Sequence, residues 1–172
     1  TGVGASLLVN LVLNNVVSET VAGIKNSTIQ NAGDITINTN NGKKDDMKNR
    51  ALSIGFTAQG AALVVGVVQN IYDNTVKSYA DNNAITKAVS MALNANSDRK
   101  LDNKTIGATA AAIGAGAVAN ALVNQIDSST TAVVDAKSKT MNIDNALNLS
   151  AKDNTAATNS MGMIAVAGMG AE

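Results

Sequence analysis

Three successive blocks of this chain run through the same sequence of textures. A glycine- and alanine-led apolar stretch comes first, at residues 2–17, 57–71 and 107–126. A stretch of period-2 alternation follows, in which Thr20, Ala22 and Ile24 interleave with Val21, Gly23 and Lys25; Thr75–Tyr79 and Thr130–Val134 are its counterparts. The third stretch joins turn residues to a short alternating run. In the first block it is Asn31-Ala32-Gly33-Asp34-Ile35-Thr36-Ile37-Asn38-Thr39, followed by the polar residues 40–50. Alternation of β-branched residues between Asn, Gly and Asp clusters predicts strands. Thr28-Ile29, then Asn31 to Asp34, then Ile35 to Asn38 reads as strand, turn, strand, and Asn40-Asn41-Gly42 as a second turn.

A helix competes for the apolar stretches, because Leu7, Leu8, Leu11 and Val12 have helical spacing and residues 108–123 are rich in alanine. Against it, Gly107, Gly114 and Gly116 would each cost a helix about 1 kcal/mol, and Leu63-Val64-Val65-Gly66-Val67-Val68 is β-branched. The strand reading is preferred. A membrane span needs about 20 apolar residues, and Asn10, Gly66, Asn120, Asn124 and Gln125 interrupt the runs.

The blocks are repeats. Gly2-Val3-Gly4-Ala5 returns as Ala58-Gln59-Gly60-Ala61, Gly114-Ala115-Gly116-Ala117 and Gly168-Met169-Gly170-Ala171. The last glycine of the phrase steps 4, 60, 116, 170, at intervals of 56, 56 and 54. Asn15 with Thr20-Val21 matches Asn70 with Thr75-Val76, and Ile35-Thr36-Ile37 matches Met91-Ala92-Leu93 and Leu147-Asn148-Leu149. Repetition at a fixed period predicts units that stack, each covering its neighbour's apolar face. The units are 1–54, 55–106 and 107–161, with the start of a fourth at 162–172, and the chain looks cut from something longer. Strands apolar on both faces suit an all-β, single elongated parallel solenoid built from three sequence repeats of about 55 residues. Coils of about 18 to 20 residues would give three per repeat, or two with larger loops. Residues 42–50 and 96–104 then become loops aligned as a polar ridge, and Gly4, Gly60, Gly116 and Gly170 occupy one corner, by a positive φ or close backbone approach.

Composition narrows the chemistry. There is no His, Cys, Trp or Pro, one Phe (Phe56) and two Tyr (Tyr72 and Tyr79), so the core must be thin and layered. Nucleophilic Ser/His or Cys/His catalysis and thiol or imidazole zinc sites are excluded within this segment. Charge balances at 13 basic and 13 acidic residues with no cluster beyond Lys43-Lys44-Asp45-Asp46, which argues against nucleic acid. Asparagine numbers 23; it suits A/T-rich codons, left-handed turns and amide ladders alike. No secretion signal opens the chain.

Carboxylate chemistry survives on paper in Asp45, Asp46, Asp98 and Asp102 beside Arg50, Arg99 and Lys100, but mixed charge on solvated loops is the preferred explanation. Calcium motifs are absent. The Gly-x-Gly phrases are too short for a dinucleotide fingerprint and fit close packing. Asn26-Ser27-Thr28, Asn103-Lys104-Thr105 and Asn148-Leu149-Ser150 fit a glycosylation triplet that an Asn-rich chain produces by chance. Tyr72 and Tyr79 offer a small sugar-stacking face or half-buried packing. No catalytic, cofactor-binding or metal-ligating residue is assigned, and no cofactor is expected.

The Gly-x-Gly-Ala phrase, the apolar run ending Val-x-Asn, the following Asn-x-x-x-x-Thr-Val and Asn31-Ala32-Gly33-Asp34-Ile35-Thr36-Ile37 together resemble the repeats of large secreted bacterial haemagglutinin, haemolysin and leukotoxin-type passengers. These are exported by autotransporter or two-partner (type V) secretion. The resemblance covers nearly the whole chain and is strongest over residues 2–41; the Asn-Ala-Gly-Asp turn is lost at Ala88-Val89-Ser90 and Asp144-Asn145-Ala146. It implies a right-handed parallel β-helix at the cell surface or secreted, acting in adhesion and virulence. The implied partners are adjacent repeats, an outer-membrane translocator and a host cell-surface protein or glycan. A polysaccharide-degrading β-helix enzyme and an intracellular helical-repeat scaffold are the rival readings.

Overall fold

A computed structural model describes residues 4–168, with side chains throughout that range except at 42–46. The described residues contain no helix. They form β1 (Gly4–Lys25), β2 (Thr28–Ile29), β3 (Ala32–Asp81), β4 (Ala84–Asp135), β5 (Met141–Asp153) and β6 (Ala156–Ala167). All of their pairings are parallel, within one sheet. The chain is an all-β parallel solenoid, and the helical alternative for the apolar stretches does not hold.

One circuit of the coil takes a whole sequence repeat, not a third or a half of one. Gly4 pairs with Gly60 and Lys25 with Asp81, while Gly60 pairs with Gly114 and Asp81 with Asp135. Each coil is a flattened loop of two long walls. The first wall is 4–25, 60–81 or 114–135, and the second is 32–59, 84–113 or 141–167. A 22-residue wall is about 70 Å long at the usual rise of a strand. The short coils expected from the sequence fail because several Asn/Gly clusters do not turn the chain. Asn40 and Asn41 lie inside β3, and residues 96–104 lie inside β4, so neither polar stretch is a loop.

Two corners close each coil. At the asparagine corner Asn26 and Asn82 have φ of 53°, and Lys137 takes the same conformation in the third coil at 51°. Asn is among the few side chains that tolerate this region. The opposite corner is made by Gly60 (φ 106°) and Gly114 (φ 130°). A Cβ on Gly60 would lie 1.8 Å from the carbonyl oxygen of Gly4, and one on Gly114 would meet that of Gly60 at the same distance. Both reasons for glycine expected at this corner therefore apply. The stack, however, is Gly4, Gly60 and Gly114. Gly116 pairs with Ala62 instead, and Gly170 lies outside the described residues. The physical reason is a register shift between Asn41 and Asp45: Asn41 pairs with Ser97 but Asp45 with Arg99, so the first coil holds two residues more than the second.

Alternation assigns every wall residue to the inside or the outside. The interior of the middle coil is buried, and its chemistry changes along the walls. Nearest the asparagine corner, Ile37, Ala80, Ile85, Ala88, Met91 and Leu93 form an apolar cluster. Next comes a polar zone with Thr39, Asn41, Asn70, Asn74, Ser78, Ser97 and Asn103 buried around Tyr72. Toward the glycine corner the walls close on small residues: a Cβ at Gly55 would lie 2.6 Å from Val64 Cγ2 on the facing wall. The core is thin and layered, as its poverty in aromatic residues requires.

Candidate functional site

Apart from the corner residues, such as the exposed Lys137, Ser138 and Lys139, the outward side chains of this solenoid form rows along its walls. Because each coil repeats the register of the last, one outward position generates a row along the stacking axis. Near the glycine corner these rows are apolar on both walls. The first wall carries Leu7, Val9, Leu11 and Leu13 over Leu63, Val65 and Val67, continuing to Ala117, Ala119, Ala121 and Val123. The second carries Leu52, Ile54 and Phe56 over Ile106, Ala108 and Ala110, then Gly162, Ile164 and Val166. Phe56 is 68% exposed, Leu7 67% and Ile54 64%. Scattered exposed apolar side chains mean little, but contiguous rows of them mark an interaction surface. The sequence held this signal in its period-2 phase; it was hidden because a run apolar at both phases looks buried on both faces.

Beyond the apolar rows on the second wall lies the charged stretch in which candidate acids were sought. Asp98, Lys100, Asp102 and Lys104 share its outer face in β4, and Lys48 and Arg50 pair with Asp102 and Lys104 in the coil before. Lys48, Arg50, Asp98, Lys100, Asp102 and Lys104 thus form a shared polar ridge on a strand wall, which ends in the third coil at the neutral Ala156, Thr158 and Ser160. Asp45 and Asp46 pair along the backbone with Arg99 and Lys100, and their side chains lie outside the described residues. Arg99 does not join the ridge: its alternation turns it inward. Its guanidinium bonds Asn41 Oδ1 and donates to Ser18 Oγ at 3.4 Å, 5.5 Å from the centre of the Tyr72 ring. The candidate acid–base set is therefore split between the two sides of one wall.

The two tyrosines are split in the same way. Tyr72 is buried at 0% exposure, whereas Tyr79 is half-buried on the outside, its ring lying over Gly23 with Lys77 Nζ 5.4 Å from its centre. They share no sugar-stacking face. Of the three glycosylation triplets, Asn103 is buried, Asn26 accepts a hydrogen bond from Asn82 Nδ2 at 2.7 Å, and Asn148 is exposed.

At the asparagine corner a shallow cleft of about 330 Å³ is lined by Lys25, Lys77, Tyr79, Asp81, Val133 and Asp135. Lys137 Nζ lies 2.8 Å from Asp81 and Lys25 Nζ 3.5 Å from it. The hydrogen bond from Lys137, reinforced by the charges of both lysines, holds the Asp81 carboxyl below its ordinary value, and Asp81 in turn raises Lys137. Partial burial pushes the carboxyl of Asp153 up, but hydrogen bonds from Ser128, Thr155 and Thr130 outweigh it and leave that group lowered. Such exposed pairs fasten one coil to the next rather than poise a group for proton transfer.

The amide ladders that the abundance of asparagine suggested lie inside, at positions the sequence did not single out. Asn14, Asn70 and Asn124 stack along the first wall, with bonds of 2.8 and 2.7 Å. Asn49, Asn103 and Asn159 stack along the second, at 2.9 and 3.1 Å. Rungs across the interior join the two stacks: Asn49 to Asn70, Asn70 to Asn103, Asn103 to Asn124 and Asn124 to Asn159. Each central amide donates twice and accepts twice, so a buried polar group meets its full capacity. No His/Cys/Asp/Glu cluster able to hold a metal occurs among the described residues. The chain matches no protein-family model, no curated protein and no solved structure.

Proposed function

We propose that this chain is a non-enzymatic structural and adhesive segment of a large secreted or surface-displayed bacterial protein of the adhesin, haemagglutinin or haemolysin/leukotoxin type. The observation that carries the reading is the coincidence of sequence repeat and coil. One outward residue per repeat becomes a row along the shaft, so the apolar flank, which runs through all three coils, lengthens with every added unit. Many weak contacts then sum through multivalency. A host cell-surface protein or glycan is the partner this surface suits, and the sequence resemblance supplies the bacterial-surface setting and the outer-membrane translocator. The lack of cysteine agrees with export in an extended state. The rival reading as a polysaccharide-degrading enzyme gains nothing from the geometry, since the ridge carboxylates stand on a flat wall and Arg99 faces away from them.

The test is binding to host cells and to a glycan array as a function of repeat number. Tandem repeats of the chain with six and nine coils should bind progressively better than this three-coil chain. Binding that did not grow with length would overturn the adhesive reading, and hydrolysis of a polysaccharide panel lost in Asp102→Ala would overturn the non-enzymatic one.

A further inference from the structure

The chain is neutral overall, yet its two walls carry opposite charge at the same distance from the glycine corner. We propose that the outer face of the first wall is a docking surface for the outer face of the second wall of another copy of this chain, so that solenoids pack side by side, wall on wall.

Contacts across the interior fix which outer positions stand back to back. Asn70 bonds Asn49 and Asn103 on the facing wall, and a Cβ at Gly55 would touch Val64. Counted from these pairs, Leu63, Val65 and Val67 stand at the levels of Phe56, Ile54 and Leu52, so the two apolar flanks reach equally far from the corner. Both turn polar at one level, Gln69 on the first wall and Arg50 with Lys104 on the second. Past that level the walls differ in sign. The first wall carries the exposed Glu19, Asp73 and Asp127, and residues 13–19, 69–75 and 123–129 contain no base. The second carries Lys48, Arg50, Lys100 and Lys104 against Asp98 and Asp102. Asp73 follows Asn70 by as many residues as Lys100 precedes Asn103, which puts the two at one level on opposite faces.

A copy displaced along the normal to the walls therefore sets apolar flank on apolar flank and Asp73 opposite Lys100 in the same step. Sheets pack face to face about 10 Å apart with their strands nearly aligned, and this displacement keeps them aligned. A second copy suits the surface better than an unrelated protein, because both walls belong to one parallel stack. Coils repeat about every 4.8 Å on each wall, so the rows of two copies stay in step over any number of coils. First wall on first wall would set acids against acids, and second on second would set a net positive zone against itself. The pairing is thus heterologous and open. Over three coils the strip from the corner to Asp73 and Lys100 covers about 600 Å² per partner, below the ~800 Å² of a standard interface. Association of this chain is therefore weak and reversible. It goes beyond the adhesive reading and does not depend on it, since the outermost copies of a stack keep a flank free.

The experiment combines sedimentation equilibrium, up to millimolar protein, with zero-length crosslinking by a carbodiimide, which joins a carboxylate to an amine in direct contact. A mixture of isotope-labelled and unlabelled chains should yield Asp73–Lys100 links between the two labels; within one copy these side chains point away from each other. Asp73→Lys and Lys100→Asp should each weaken association by about tenfold or more, with unchanged circular dichroism spectra. The chain carrying both reversals should associate like wild type, because each wall again meets its opposite, and that recovery separates docking from a general loss of structure. Lys139→Asp, at the asparagine corner, should leave association unchanged. A wild type that stays monomeric, links that miss Asp73 and Lys100, a double reversal no better than the singles, or association lost in Lys139→Asp would each overturn the proposal. Should Lys100→Asp unfold, the Asp73–Lys100 link in the unaltered protein decides alone.

Discussion

Replacing Gly60 with alanine tests whether the corner, rather than general packing, fixes where each coil ends. Two costs meet at this position. At φ 106° a residue with a Cβ is strained by about 1–3 kcal/mol. The new Cβ would also lie 1.8 Å from Gly4 O and 2.8 Å from the carbonyl carbon behind it, both backbone atoms that no side-chain rotation can clear. Relief requires the coils to part locally, which forfeits one or two ladder hydrogen bonds at about 1 kcal/mol each. The expected loss is about 3–5 kcal/mol, a large share of the stability of an ordinary domain. Two other glycines calibrate the figure. At Gly116 the Cβ would meet Thr109 Oγ1 at 2.7 Å and Val166 O at 3.3 Å, a milder overlap with no positive φ, so Gly116→Ala should cost about 1–2 kcal/mol. At Gly4 the nearest atom is 3.7 Å off, and Gly4→Ala should fall within about 0.5 kcal/mol of wild type in dilute solution. Urea denaturation followed by circular dichroism gives the ranking Gly60, then Gly116, then Gly4. Equal midpoints for Gly60→Ala and Gly4→Ala would refute the reasoning, because only Gly60 is shown to combine a positive φ with a backbone carbonyl one coil below.

The amide ladder should be as sensitive. Asn103→Ala strands the donors of Asn49 and Asn70 and the acceptors of Asn124 and Asn159, for an expected loss of about 3–5 kcal/mol, whereas Asn38→Ala on the outer wall loses one exposed bond and should stay within about 0.5 kcal/mol. At the asparagine corner, Asp81 is lowered and Lys137 raised. The Asp81 contribution is thus present above the ordinary carboxylate pKa and lost as pH falls through its folded value; that of Lys137 is present below the ordinary amine pKa and lost as pH rises through its folded value. Lys137→Gln should move the Asp81 titration upward in a carbon-detected NMR experiment, and an unmoved titration would show that Lys137 is not its cause. Changing Leu52, Ile54 and Phe56 together to serine should leave the melting temperature within a few degrees, because all three are over half exposed, while reducing hydrophobic-dye and cell binding. Unchanged binding would take the apolar flank out of the adhesive surface.

The strands were legible because alternation of Thr, Val and Ile survives in every unit, and the parallel stack because the repeat does. The coil length was not. Asparagine in a sequence signals a turn, and Asn40, Asn41, Asn49, Asn70 and Asn103 all carried that signal. Their even or odd spacing from Val64, Val68 and Leu101 was the better guide, since it places Asn49, Asn70 and Asn103 in the interior. Such a buried amide is stable only when its partners arrive from other coils and the facing wall. Those partners lie 21 to 56 residues away, beyond any local pattern. The glycine corner was half legible. The phrase Gly-x-Gly-Ala repeated faithfully, but the two residues gained before Asp45 moved the corner from its second glycine to its first in the third unit. Arg99 sat in a run of charges that looked solvated, and only its alternation with Asp98 and Lys100 marked it as inward.

That gain of two residues has a consequence for how such a shaft can vary. A wall has two sides, and a change of one residue would exchange them: each ladder asparagine downstream would face solvent and each lysine of the ridge would face the core, as far as the next corner. A change of two leaves the sides as they were. The first coil spends 56 residues and the second 54 between stacked glycines, and the third covers Asp135 to Met141 in six steps where the second covers Asp81 to Ile85 in four. Net lengths on this scaffold drift by pairs, and the one-residue shift at Ala88 and Ile143 is undone by Ser90 and Ala146. Parity, more than residue identity, is what a lineage of these coils must conserve, and insertions of even length within a wall are the changes it can accumulate without refolding.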